Sequence, residues 1–169
     1  MAANNIRILK GGKTTQRVRT EANVTVGIRE GDAIKCGIGT GTNYAGVCLT
    51  GDPEQATDMF MGVSTTPGTE TTALDGVIDV EIAVPGTVME LLATTVSNLA
   101  TDALLLGLLL DVNSLDRSAA TAAGVLSFDS NEVAGGDPDV HGFMLLDGRI
   151  TDGMCFITPV NAWIGRGLV

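Results

Sequence analysis

The chain contains one histidine, His141, so any triad or proton shuttle would have to use it. It lies in Asp137-Pro138-Asp139-Val140-His141-Gly142, where Asp-Pro starts a turn and a strand is expected from Gly142 to Leu146. No G-x-S-x-G elbow is present, and closeness in sequence does not assemble a Ser–His–Asp site. The turn reading is therefore preferred to a catalytic one. Gly12-Lys13-Thr14 resembles the end of a phosphate loop, but Arg7 stands where the motif needs its first glycine. Gly37-Ile38-Gly39-Thr40-Gly41 lacks dinucleotide-fingerprint spacing and reads as a loop. Asp111-Val112-Asn113 and Asp129-Ser130-Asn131-Glu132 begin like calcium loops. They then place Asp116 and Ala122, or Ala134 and Val140, where glycine and glutamate are required. Cys36, Cys48 and Cys155 are odd in number and far apart, without the spacing of a zinc site or a disulfide framework. No catalytic residue, metal site or cofactor is expected, and a reducing compartment fits the free thiols.

Charge is the more informative feature. The 169 residues carry a net charge of −10, unevenly spread. Residues 1–35 hold seven bases (Arg7, Lys10, Lys13, Arg17, Arg19, Arg29, Lys35) against three acids, a net +4. The other three bases face seventeen acids, a net −14. A basic arm on an acidic body points to the acidic flank of a neighbouring copy or another acidic partner; a solvated tail is the alternative. The acidic body disfavours duplex nucleic acid and anionic membranes, which it would repel. Four Phe, one Trp and one Tyr supply no stacking platform for single strands. The N-terminus shows no apolar signal region, and the apolar run Ala103–Leu110 is too short to cross a bilayer. A protein made and kept in solution is expected.

The elements that must carry these residues are short and β-type. With 44% hydrophobic and 18% charged residues the chain can bury a core, and its 22 glycines promise many turns. One domain is expected over residues 21–169, preceded by a basic extended arm over residues 1–20 that is removable without unfolding it. Candidate strands are Val24–Ile28, Ala33–Ile38, Ala45–Leu49, Met59–Ser64, Val77–Val84, Thr87–Leu92, Leu104–Val112, Gly124–Phe128, Gly142–Leu146 and Met154–Val160. In Val77–Val84, Ile78, Val80, Ile82 and Val84 alternate with Asp79, Glu81 and Ala83, so one face is buried and one wet. Pro85-Gly86 has the chemistry of a type II turn, after which the next run is expected to fold back beside the strand. Residues 88–110 fit a helical leucine stripe as well, but β-branched Thr94-Thr95-Val96 and turn-like Ser97-Asn98 favour strand, loop and strand. The pattern is an all-β fold, a single antiparallel β-sandwich or barrel. At the end, Trp163 and Arg166 are of interface-anchor type; Trp163 either closes the domain's own core or meets a partner.

Several stretches together resemble the cement, or decoration, proteins of tailed-phage heads. They are Met59-Phe60-Met61-Gly62-Val63, Asp75-Gly76-Val77-Ile78-Asp79-Val80, Val84-Pro85-Gly86-Thr87-Val88, Gly124-Val125-Leu126, Asp137 to Phe143 and Ile157-Thr158-Pro159-Val160. The similarity spans roughly residues 45–160 as a pattern of strand and turn types. It implies a β-sandwich, jelly-roll or β-tulip-like domain, commonly a homotrimer. Such a domain sits on the outer capsid surface and clamps adjacent major capsid protein subunits, often with a terminal arm. No chemistry is needed, because weak contacts repeated in an oligomer add to strong attachment. Arg7, Lys10, Lys13, Arg17 and Arg19 are then the expected tether, with Trp163 and Arg166 a second contact. The alternatives are another virion subunit, such as a tail or fibre component, and a metal-dependent hydrolase.

Overall fold

The computed structural model describes residues 6–11, 14–20, 27–37, 45–47, 58–71, 73–93, 109–111, 115–117, 126–128 and 141–159. These form strands and turns, with no helix among them. The strands are β1 (Arg7–Lys10), β2 (Thr15–Thr20), β3 (Ala33–Gly37), β4 (Ala45–Val47), β5 (Asp58–Ser64) and β6 (Gly76–Ile82). They continue with β7 (Val88–Ala93), β8 (Leu109–Asp111), β9 (Leu115–Arg117), β10 (Leu126–Phe128), β11 (His141–Arg149) and β12 (Met154–Pro159). Among the described residues two sheets result. One runs β8-β11-β12-β7-β10-β9, with β1 also on β7; the other closes as a ring, β2-β4-β3-β5-β6. All pairings are antiparallel except β2 with β4 and β7 with β10. The fold is all-β and sandwich-like, as the alternating pattern predicts.

Strand alternation divides the core between the two sheets. On β3 and β5, Ala33, Phe60 and Val63 face Met89, Leu91, Phe143, Leu145, Cys155 and Ile157 of the larger sheet. Their neighbours Ile34 and Met61 point the other way, into the ring, with Ile28, Ile78, Val80 and Ile82. Side chains of successive strand residues leave opposite faces, so one strand serves both clusters. The rings of Phe60 and Phe143 join the sheets edge to face, with centroids 4.7 Å apart.

Within residues 88–110, strands β7 and β8 occupy the two ends. Burial alternates along β7 at Met89, Leu91 and Ala93, a period of two that a helical stripe cannot satisfy. The turn at Val84–Thr87 has the expected chemistry. Gly86 takes φ 90°, and the Thr87 amide donates to the Val84 carbonyl at 2.8 Å. Its consequence differs from expectation. β7 pairs with β12, β1 and β10 and not with β6, so the turn carries the chain from ring to sheet instead of closing a hairpin. The Gly86 amide donates to Thr158 Oγ1 at 3.2 Å, which ties this crossing to β12.

The basic N-terminal segment is extended but docked. β1 lies on β7 with Arg7 opposite Glu90 and Ile8 opposite Met89, and Ile6 is buried in the shared core. β2 pairs with β6 over six successive positions, from Thr15 opposite Glu81 to Thr20 opposite Gly76. Residues 1–20, expected as an extended arm, thus contribute β1 to the larger sheet and β2 to the ring. The sequence pattern missed both strands because their outward residues are charged and only Ile6, Ile8 and Val18 mark the inner face. β9 was missed as well. In turn, Val24–Val26 of the expected strand Val24–Ile28 lie outside the described residues, and Gly27–Ile28 carry no strand.

Candidate interaction surface

On β2 the sequence Thr15-Gln16-Arg17-Val18-Arg19-Thr20 alternates about Val18, which packs into the ring, and Arg17 and Arg19 face outward. Register places Asp79 directly opposite Arg17. The guanidinium donates through Nε to Oδ1 at 2.8 Å and through Nη2 to Oδ2 at 3.0 Å, a two-pronged pair. These hydrogen bonds hold the Asp79 carboxyl below its ordinary value; partial desolvation opposes them and the cationic charge adds to them. The same hydrogen bonds and charge raise Arg17. Arg19, opposite Val77, reaches along the strand to Asp75 at 3.2 Å. Both arginines stay about 70% exposed at the side chain, 71% and 69%. The outer face of the ring is thus a pair of cations beside a pair of carboxylates, with exposed Val77 between Asp75 and Asp79 and exposed Leu74 beyond them.

A threonine-rich strap finishes the other edge of β6. The Thr65 amide and hydroxyl donate to the Asp79 carbonyl at 2.7 and 3.1 Å, and Thr66 Oγ1 accepts from the Asp79 amide at 3.0 Å. Two residues along β6, Thr69 Oγ1 accepts from the Val77 amide at 3.0 Å. Hydroxyls therefore occupy ladder positions that a neighbouring backbone would otherwise take. Glu70 fastens the strap, accepting from the Ile28 amide at 2.9 Å and from Thr20 Oγ1 at 3.0 Å. Gly76 is required beneath it, because a Cβ there would lie 2.1 Å from the Glu70 amide nitrogen. Behind Ile28, buried Asp32 accepts from the Arg29 amide at 2.7 Å, and Ser64 Oγ donates to the Arg29 carbonyl.

The larger sheet presents β1. Arg7 Nη2 lies 3.1 and 3.2 Å from the two carboxylate oxygens of Glu90. Pairing shifts between Ile8 and Lys10, leaving Leu9 as the extra residue of a bulge and 44% exposed. Lys10 is exposed and makes no ion pair with a described residue. On the same sheet, Arg149 bridges to Asp152 at 2.9 Å and lies 5.5 Å over the Phe156 ring.

Four expected tether residues thus fall on two surfaces, Arg7 and Lys10 on β1 and Arg17 and Arg19 on β2. Lys13, Trp163 and Arg166 lie outside the described residues. The carboxylates that receive the arginines, Glu90, Asp79 and Asp75, were not singled out from the sequence. Their signal is the alternation in both strands, which becomes informative once the register is known. His141 opens β11 opposite Asp111, one residue before the expected strand start. Cys155 is buried, and that burial pushes its thiol up to about 12, leaving it protonated and unreactive at neutral pH. Among the described residues, no group of three or more His, Cys, Asp or Glu side chains is placed to hold a metal ion. The chain matches no protein-family model, and no curated protein or solved structure is significantly similar to it.

Proposed function

We propose that this protein is a non-enzymatic decoration protein that binds the outside of a phage head and stabilises the shell through contacts with the major capsid protein, acting as a homotrimer. The observation that carries the reading is the pair of outward strands, β1 and β2. They hold exposed arginines, with apolar Leu9 on β1 and Val77 beside β2, on a body stiffened by one core between two sheets. A rigid β scaffold that displays charged and apolar groups without ordering cost suits repeated protein–protein contact. The resemblance in strand and turn pattern over residues 45–160 supports the same assignment. Arginine is a favoured residue at such contacts because its planar fork keeps donors free for a second acceptor.

Electron microscopy of particles purified from cells that produce the chain tests this proposal. Antibody to the protein should label the head surface in a regular lattice. Labelling confined to a tail or fibre would assign it elsewhere in the virion, and metal-dependent turnover by the isolated protein would make it an enzyme; either result overturns the proposal.

A further inference from the structure

We propose that the Asp147-Gly148 step of β11 is a site of spontaneous backbone modification, where the Asp147 side chain closes on the Gly148 amide and the chain reopens as isoaspartate. The sequence holds three Asp-Gly steps, at Asp75, Asp147 and Asp152, and no Asn-Gly step. Glycine after aspartate favours this reaction, because with no Cβ it hinders ring closure least. The three steps are alike in sequence, and their folded surroundings separate them.

At two of the steps other partners hold the reacting groups. Asp75 Oδ2 accepts from Arg19 Nη2 at 3.2 Å, and Gly76 is buried beneath the strap, in register with Thr20 of β2. Asp152 Oδ2 lies 2.9 Å from Arg149 Nη2, and its Oδ1 accepts from the Met154 amide at 3.2 Å. The Gly153 amide donates to the Arg149 carbonyl at 2.9 Å. At the third step the Gly148 amide donates to Oδ1 of Asp147 itself at 2.8 Å, so nitrogen and carboxyl group are already in contact. Asp147 is exposed and makes no ion pair with a described residue. The pairing of β11 with β12 shifts between Leu145 and Asp147, and such a bulge loosens the ladder locally. A nucleophile held against its electrophile reacts as an intramolecular partner, without the entropy cost of an encounter.

The reaction needs no reagent but water. The Gly148 nitrogen bonds to Cγ of Asp147, and the carboxyl hydroxyl leaves with the amide proton as water, closing a cyclic imide. Water then adds back. Cleavage between the nitrogen and Cγ restores aspartate. Cleavage between the nitrogen and the main-chain carbonyl carbon of Asp147 routes the backbone through Cβ and Cγ and frees that carbonyl carbon as a carboxylate. Isoaspartate thus lengthens β11 just before Gly148 and Arg149, which pair with Cys155 and Met154. The change falls beside the seat of Arg149 on Phe156 and Asp152.

Peptide mapping of the full-length protein held in warm, mildly acidic buffer tests the inference, with electron-transfer fragmentation to tell isoaspartate from aspartate. In the folded protein isoaspartate should accumulate at Asp147 about tenfold or more faster than at Asp75 or Asp152. In urea the three rates should converge, since only the shared Asp-Gly sequence remains. Asp147→Glu keeps the charge at an exposed position and should abolish the modification there, because the longer side chain closes a less favoured ring. Accumulation at Asp147 no faster than at Asp75 or Asp152 in the folded protein would overturn the inference. A ranking that survives unchanged in urea would overturn it too, because local sequence and not folded geometry would then set the rates.

Discussion

Phe60 on β5 and Phe143 on β11 meet edge to face, their ring planes inclined at 69° and both side chains fully buried. This contact lies in the core through which the closed ring packs on the larger sheet. Phe143→Ala should cost about 3–5 kcal/mol in urea denaturation, the usual range for a large aromatic removed from a core. Phe60→Leu should cost less, since much of the volume is kept. A change below about 1 kcal/mol for Phe143→Ala would mean that the two sheets are not held together there.

The pair Arg17–Asp79 gives the fold an acid-side dependence. The folded carboxyl titrates below the unfolded one, so the unfolded chain binds more protons in acid. The contribution of the pair is fully present above the ordinary aspartate value of about 3.9 and is lost as pH falls through the depressed folded value. The stability difference between wild type and Asp79→Asn should therefore shrink as pH is lowered through that window. A difference that stays constant down to full protonation would contradict the pair's role.

Gly76→Ala tests the strap. Its Cβ would meet the Glu70 backbone, so the strap must move away from β6. The expected cost is about 1–3 kcal/mol, typical of overpacking. Hydrogen exchange should accelerate at the Val77 and Asp79 amides, which depend on the Thr69 and Thr66 hydroxyls. Unchanged protection at both amides would show that the strap does not hold that edge.

How much of this was legible in the sequence depended on where the hydrophobic signal was dense. Ile78, Val80 and Ile82 alternate with polar residues, and β6 was readable at once. The turn at Pro85-Gly86 was readable too, but which sheet it led into was not, because turn chemistry sets local geometry and says nothing of the next strand's partner. β1 and β2 were hidden for a related reason. Their charge reads locally as a tether for an acidic partner or as a solvated tail, whereas Arg7, Arg17 and Arg19 each rest on a carboxylate 83, 62 or 56 residues away in the chain. Pairings at that separation are fixed by register between strands, and no local spacing encodes them.

The docking of β1 and β2 yields a fourth prediction. Deleting residues 1–20 removes Ile6 from the core together with both strands, one of which closes the ring. The truncated chain should lose its cooperative unfolding transition or show a midpoint well below that of the full chain. Retention of the wild-type midpoint would mean that β1 and β2 add nothing to the domain.

Cryo-electron microscopy of particles stripped of the protein and then incubated with purified full-length chain tests the proposed attachment to a viral head. Added density is expected in regular positions on the outer shell, shaped as a two-sheet β domain. Shells that remain bare at saturating protein, with the chain recovered in the unbound fraction, would contradict it.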